Sequence, residues 1–321
     1  MTPSRREDGR AHRHSEAGFS LVEVMAALVI LAIAMTAVFA TFISQQKSFT
    51  VQSRVAEMQQ NLRQAVEYMS RDIRLAGYGI PDNVTIPGAA TPAGFLSVRS
   101  IYAADNTTGP DQIYVLYLFD MDANQPPTTD NGAGVPGNAS SITVPSTAGF
   151  VSTGGELVLV TDGTTADLYE TSAAVGTLLS FGGGYTYNAG HTKTYPAGSP
   201  PVTVAKARFV RYYIDNNTLM VDRLGGEAPQ PVADDIEDLQ LTYGVDLNGN
   251  GVIDSGEWTP TPADMSQIRQ VRLQLTARTR LPEAGWSETR PALGNHAAGG
   301  TPDGYRRRTY DIVIDVRNSG V

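Results

Sequence analysis

Residues 18–23 read GFSLVE, and they open onto the apolar run VMAALVILAIAMTAVFATFI at residues 24–43. How this junction is read decides the fold. A lone carboxylate, Glu23, stands at the mouth of a segment that matches the ~20 residues needed to cross a bilayer. A charge at that depth is costly unless it finds a partner. Arg5, Arg6, Arg10 and Arg13 precede the run, whereas only Lys47 and Arg54 follow it closely. That asymmetry puts the N-terminus on the cytoplasmic side. A rival reading is a cleaved secretory signal with Val38-Phe39-Ala40 as its small-residue site, but the run exceeds the ~7–15 residues of a secretory core.

Periodicity beyond the run also speaks against a signal peptide. Val51, Val55, Met58, Leu62, Ala65, Met69, Ile73 and Ala76 recur at steps of three or four, which is one apolar stripe along a helix. Neither proline nor glycine occurs from Phe19 to Ala76, and then Gly77, Gly79 and Pro81 stop the helix together. One helix is therefore expected to leave the membrane intact.

The stretch GFSLVE, with its small, aromatic, polar, apolar and acidic residues in order before an apolar run, resembles the class III leader of type IV pilins and pseudopilins. The resemblance implies that a prepilin peptidase cuts after Gly18 and methylates the new N-terminus, Phe19. Glu23 then becomes the fifth residue of the mature chain and pairs with the N-terminal amine of a neighbouring subunit. A buried carboxylate is disfavoured alone and tolerated opposite an ammonium, so assembly relieves its cost and fixes a docking register.

The runs YMSRDIRLAGYG (68–79), ADDIEDLQLTYGVD (233–246), IRQVRLQLTART (268–279) and YRRRTYDIVIDVRN (305–318) are similar to the PilW group of large minor pilins. That group is related to the J-type minor pseudopilin of type II secretion. Ala40 stands where major pilins carry a helix-loosening proline, and the chain is larger than a typical major pilin. Both point to a minor subunit. The implied organisation is a cleaved leader at 1–18, a transmembrane helix at 19–43, the periplasmic amphipathic half of the same helix at 44–80, and a β-rich globular domain at 81–321.

With 321 residues, a formal net charge of −9 and no cysteine, the chain is long enough for a substantial core and too acidic for a nucleic-acid surface. Arg306-Arg307-Arg308 reads as a solvated strand end. Without cysteine there are no disulfides, thiol nucleophiles or Cys-based zinc sites. His12 and His14 fall in the leader, which leaves His191 and His296, both in glycine-rich stretches, as thin material for catalysis. No G-x-S-x-G or HExxH pattern is present, so an enzyme is not expected.

After Pro81, short β-rich runs alternate with turns: 95–102, 112–119, 156–161, 167–171, 204–215, 218–223, 239–245, 270–277 and 309–316. Val271, Leu273, Leu275 and Ala277 alternate with Arg272, Gln274 and Thr276, giving one buried and one wet face of an antiparallel sheet. Asp215-Asn216-Asn217-Thr218 marks a hairpin. The fold class is α+β, a pilin-like arrangement in which the second half of the long helix covers the sheet. The acidic pairs Asp234-Asp235 and Glu237-Asp238 read as a charged approach to a strand. Loops at 120–140, 181–201 and 281–304 are candidate sites of specificity or plain surface elaboration.

DLNGNGVIDSGE, residues 246–257, fits the twelve-residue EF-hand loop. Asp246, Asn248 and Asn250 fall at positions 1, 3 and 5, Gly251 makes the turn, and Val252 offers its carbonyl. Asp254 and Glu257 stand at positions 9 and 12, a set of hard oxygens suited to calcium. Ile253 anchors the loop in this reading, and the preceding strand replaces the usual helix, so the ion is a structural clip. The shorter DMDANQ run at 120–125 begins similarly and lacks the glycine.

The expected function is a minor pilin at the tip or initiation complex of a type IV pilus. It is kept in the bacterial inner membrane, with partners among other minor and major pilins and the assembly machinery. A minor pseudopilin of type II secretion and a membrane-anchored, calcium-stabilised adhesin or binding module are the alternatives.

Overall fold

The computed structural model describes residues 20–81, 84–85 (backbone only), 100–119, 128–130, 132–184, 187–188, 191–198 and 202–316. The leader, Gly18, Phe19 and the 120–125 run lie outside the described residues. The chain divides into two compact units, 1–53 and 54–321.

In the first unit the described residues form the opening of an α-helix, Leu21–Leu75, and every side chain from 20 to 50 is exposed. Leu28, Ile33, Val38 and Phe42 are each more than half accessible. A stretch this apolar without a protein surface to cover it needs another solvent. It is long and apolar enough to cross a membrane.

In the second unit the same helix carries the predicted stripe inward. Met58, Leu62, Ala65, Met69, Ile73 and Ala76 are all buried, while Val55 is half-buried. The helix ends at Leu75, and Gly77 and Gly79 follow at φ +77 and +70, a left-handed backbone that glycine adopts without penalty.

Two principal sheets meet this stripe where one was expected. A nine-stranded sheet is built around the long strand Thr203–Asp215. Gln112–Leu118 lies on one edge of that strand, and Leu157–Thr161 and Thr218–Arg223 pair with it at its two ends. A four-stranded antiparallel sheet runs Trp258–Thr259, Ile236–Val245, Ile268–Arg278, Arg307–Asp315. The helix stripe, Ile113, Val115, Tyr117 and Tyr212 from the first sheet, and Leu239, Leu241, Leu273, Leu275 and Ile314 from the second form one core.

The larger sheet is buried on its other face too, by Tyr114, Leu116, Phe209, Leu159 and Leu168. Double burial explains why residues 113–118 read as an unbroken apolar run. A third cluster seats a small sheet, Ser141–Thr143, Leu178–Ser180, Ala173–Val175, against Val158, Val160 and Tyr169. The expected hairpin is present: Asn216 and Asn217 take φ +48 and +59, the positive pair that a type I′ turn requires.

The helix is fixed to the larger sheet by polar contacts as well as by packing. Asp72, buried on the stripe side, accepts from Tyr117 Oη at 3.0 Å and Tyr212 Oη at 2.6 Å. These contacts set how the helix lies on the sheet, because a buried carboxylate must find its donors.

Candidate functional site

The assembly acid lies in the first helical turn. Ser20 caps the helix: its Oγ accepts from Glu23 N at 3.2 Å, and its carbonyl accepts from Glu23 N and Val24 N at 3.0 and 3.2 Å. Ser20-x-x-Glu23 is the capping-box pattern, so the sequence held a signal that went unused. The Glu23 side chain is exposed and makes no ion pair among the described residues.

The 246–257 loop leaves the end of Ile236–Val245 and returns at Trp258–Thr259. Its carboxylates and amides fold it onto itself. Asp246 accepts from Asn250 N at 3.1 Å and Gly251 N at 3.0 Å, Asn248 Oδ1 from Asn250 N at 2.9 Å, and Asn250 Oδ1 from Val252 N at 2.7 Å. Glu257 is buried; its Oε1 accepts from Leu247 N at 3.0 Å and its Oε2 from Asp254 N at 2.9 Å. Ile253 is half-buried over the strand, and a Cβ on Gly244 would stand 2.9 Å from Ile253 Cγ2, so only glycine admits it. Among the described residues no three His, Asp or Glu side chains converge on one point. The carboxylates here serve the loop's own N–H groups.

The remaining buried polar groups are structural. Asp238, read from sequence as part of an approach to a strand, lies inside Ile236–Val245 and is fully buried. It accepts from Arg290 at 2.8 Å and lies 2.9 Å from His296 Nδ1. Those residues belong to the 281–304 segment, which contains a two-stranded hairpin, Glu288–Arg290 with Gly299–Asp303. The segment is thus a fixed cover on the smaller sheet. Its neighbour Asp111 ties the turn before Gln112–Leu118 to the smaller sheet, accepting from Asn106 N at 2.7 Å and Leu241 N at 2.8 Å. Burial pushes its carboxyl up to about 7, against the pull of those two N–H donors, with Asp105 and Asp238 adding repulsion.

His191 is buried, with Nε2 2.8 Å from the Tyr187 carbonyl and Nδ1 3.2 Å from Asp167 Oδ1, where Nδ1 makes no hydrogen bond. Arg307 is buried, not solvated: Glu237 and Asp303 hold it at 2.6 and 2.7 Å.

Two regions of the chain match known families. Residues 13–39 match the prokaryotic N-terminal methylation motif, a span that contains Gly18, Phe19 and Glu23. Residues 210–318 match Type IV Pilus-assembly protein W, which covers both hairpin strands beyond 210 and the whole smaller sheet. Over these two regions the chain is similar to type IV pilins of the PilW type. No curated relative matches it. Among solved structures, a type IV-like pilin from Thermus thermophilus aligns over 82% of this chain and 96% of its own at 12% identity, with a TM-score of 0.39.

Proposed function

We propose that the chain is a minor pilin incorporated at the tip or initiation complex of a type IV pilus, where it primes assembly. The observation that carries the reading is the co-occurrence of the methylation motif at 13–39 with a PilW region at 210–318. Before assembly the apolar helix holds the protein in the inner membrane, N-terminus inside and unit 54–321 in the periplasm, in keeping with the arginine asymmetry. Prepilin peptidase cuts after Gly18 and methylates Phe19, and Glu23 docks on the amine of an adjacent subunit. That Glu23 has no ion pair among the described residues supports an intermolecular partner.

The test is Glu23→Ala in cells. The variant remains stable and membrane-inserted while pilus number falls. Normal piliation with loss of protein secretion would transfer the chain to the type II secretion machinery, and a destroyed globular unit with normal assembly would remove the role altogether.

We further propose a structural calcium ion in the 246–257 loop. The donor set supports it: carboxylates of Asp246, Asp254 and Glu257, amide oxygens of Asn248 and Asn250, and the Val252 carbonyl suit a hard cation. Since those carboxylates now face the loop's own amides, they must turn inward on loading. In a chain without disulfides the ion clips together the ends of two strands.

A further inference from the structure

The same loop contains a chemical asymmetry that its sequence does not reveal. Asparagine followed by glycine is prone to lose its amide: the glycine backbone nitrogen attacks the asparagine Cγ and a succinimide ring closes. Ammonia departs, carrying the nitrogen's proton with it. Water then opens either carbonyl of the ring, giving aspartate or isoaspartate. Three such pairs occur here, Asn131-Gly132, Asn248-Gly249 and Asn250-Gly251, the first asparagine lying outside the described residues.

The two asparagines of the loop are alike as electrophiles. Each is exposed, each Oδ1 accepts a backbone N–H, from Asn250 at 2.9 Å and from Val252 at 2.7 Å, and each Nδ2 donates to Asp254 Oδ2, at 3.2 and 3.4 Å. A hydrogen bond to Oδ1 stabilises charge developing on that oxygen during attack, and it acts at both. The nucleophiles differ. Gly251 N is held by Asp246 Oδ2 at 3.0 Å and Gly132 N by Asp130 Oδ1 at 3.1 Å. Gly249 N makes no hydrogen bond among the described residues.

We propose that Asn248 is a site of spontaneous deamidation, its attack coming from the unheld Gly249 nitrogen, while Asn250 and Asn131 are protected by the carboxylates that hold the glycines after them. On the aspartate branch the third position of the loop gains a carboxylate. On the isoaspartate branch the backbone gains a methylene and loses the loop spacing. If the calcium reading holds, the first branch raises affinity, which follows ligand charge count.

The experiment uses the full chain in detergent and chelator, so it is independent of any metal. The protein is kept warm at mildly alkaline pH, and the mass gain that marks replacement of the amide nitrogen by oxygen is mapped by peptide. Asn248 leads Asn250 and Asn131 several-fold. Asp246→Ala, which frees Gly251 N, raises the Asn250 rate to that of Asn248. Unfolding the wild-type chain in denaturant, where no carboxylate holds any glycine, brings the three rates together. Equal rates at Asn248 and Asn250 in the folded protein, a faster Asn250, or a site preference that survives unfolding would each overturn the proposal.

Discussion

The two halves of the helix Leu21–Leu75 both carry apolar side chains and meet opposite surroundings. Ile33 and Phe42 in the first half are 66% and 60% exposed, whereas Met69 and Ile73 in the second are 0% exposed. The difference lies in arrangement. The first half is apolar all round, which suits lipid or the packed helices of a filament; the second keeps a stripe only, which suits a sheet. A polar residue is therefore tolerated differently in each. Glu23 must find its partner in another molecule, while Asp72 finds Tyr117 and Tyr212 in its own fold.

Truncation separates the two halves with the largest expected effect. Deleting residues 1–43 removes the all-round apolar half and leaves the stripe, so the remainder should be a soluble, folded monomer. Deleting to residue 80 exposes the core face of both sheets and should give aggregates. Equal solubility of the two proteins, measured by size exclusion and light scattering, would show that the stripe is not a core element.

Single substitutions sharpen it. Met69→Ala should cost about 2–5 kcal/mol in the unit 54–321, against no measurable change in its melting for Val29→Ala. Asp72→Ala strands two buried tyrosine hydroxyls and should cost about 2–4 kcal/mol, whereas Glu23→Ala leaves the melting of the same unit alone.

The pH dependence of stability should belong wholly to the second unit and be the same with or without residues 1–43. Asp111 has its carboxyl pushed up to about 7 by burial. The folded state therefore holds a proton that the unfolded chain releases near pH 4. Its contribution is fully present below that pH and is lost as pH rises through about 7. Asp303 and Asp311 act oppositely, held below the usual carboxylate range by Arg307 and Arg272, so their contribution is lost in acid. Asp111→Asn should flatten the descent between pH 4 and 7 in urea titrations and leave the acid limb in place.

The smallest effect is that of calcium. With a Kd of about 10⁻⁴–10⁻³ M, typical of extracellular loops, roughly millimolar ion stabilises by about 0.4–1.4 kcal/mol. Chelation should lower the melting temperature of the truncated and intact chains alike, and Asp246→Ala with Glu257→Ala should reproduce the chelated value. Superimposed curves with ion and with chelator would reduce the loop to a polar turn.

Local signals were legible in sequence and long-range pairings were not. The leader motif, the helix stop at Gly77 and Gly79, the stripe and the Asn216-Asn217 turn all depend on neighbours in the chain. The division into two sheets depends on register between distant strands, for which alternation gives no evidence. Gln230–Asp234 was missed because Pro231 argues against a strand; it is the end strand of its sheet, beside a bulge at Leu219/Met220, where proline is tolerated. The strands of the small sheet, three residues each, are too short to show a period. Asp238 looked like surface because its neutralising partners, Arg290 and His296, lie more than fifty residues further on.

Membrane retention and assembly both require a mature chain that begins close to Glu23. Mass spectrometry of the N-terminal peptide of the membrane-extracted protein tests this most directly. The predicted peptide starts at N-methylated Phe19; a peptide starting at Met1, or at Thr41 after secretory-type cleavage, would contradict it.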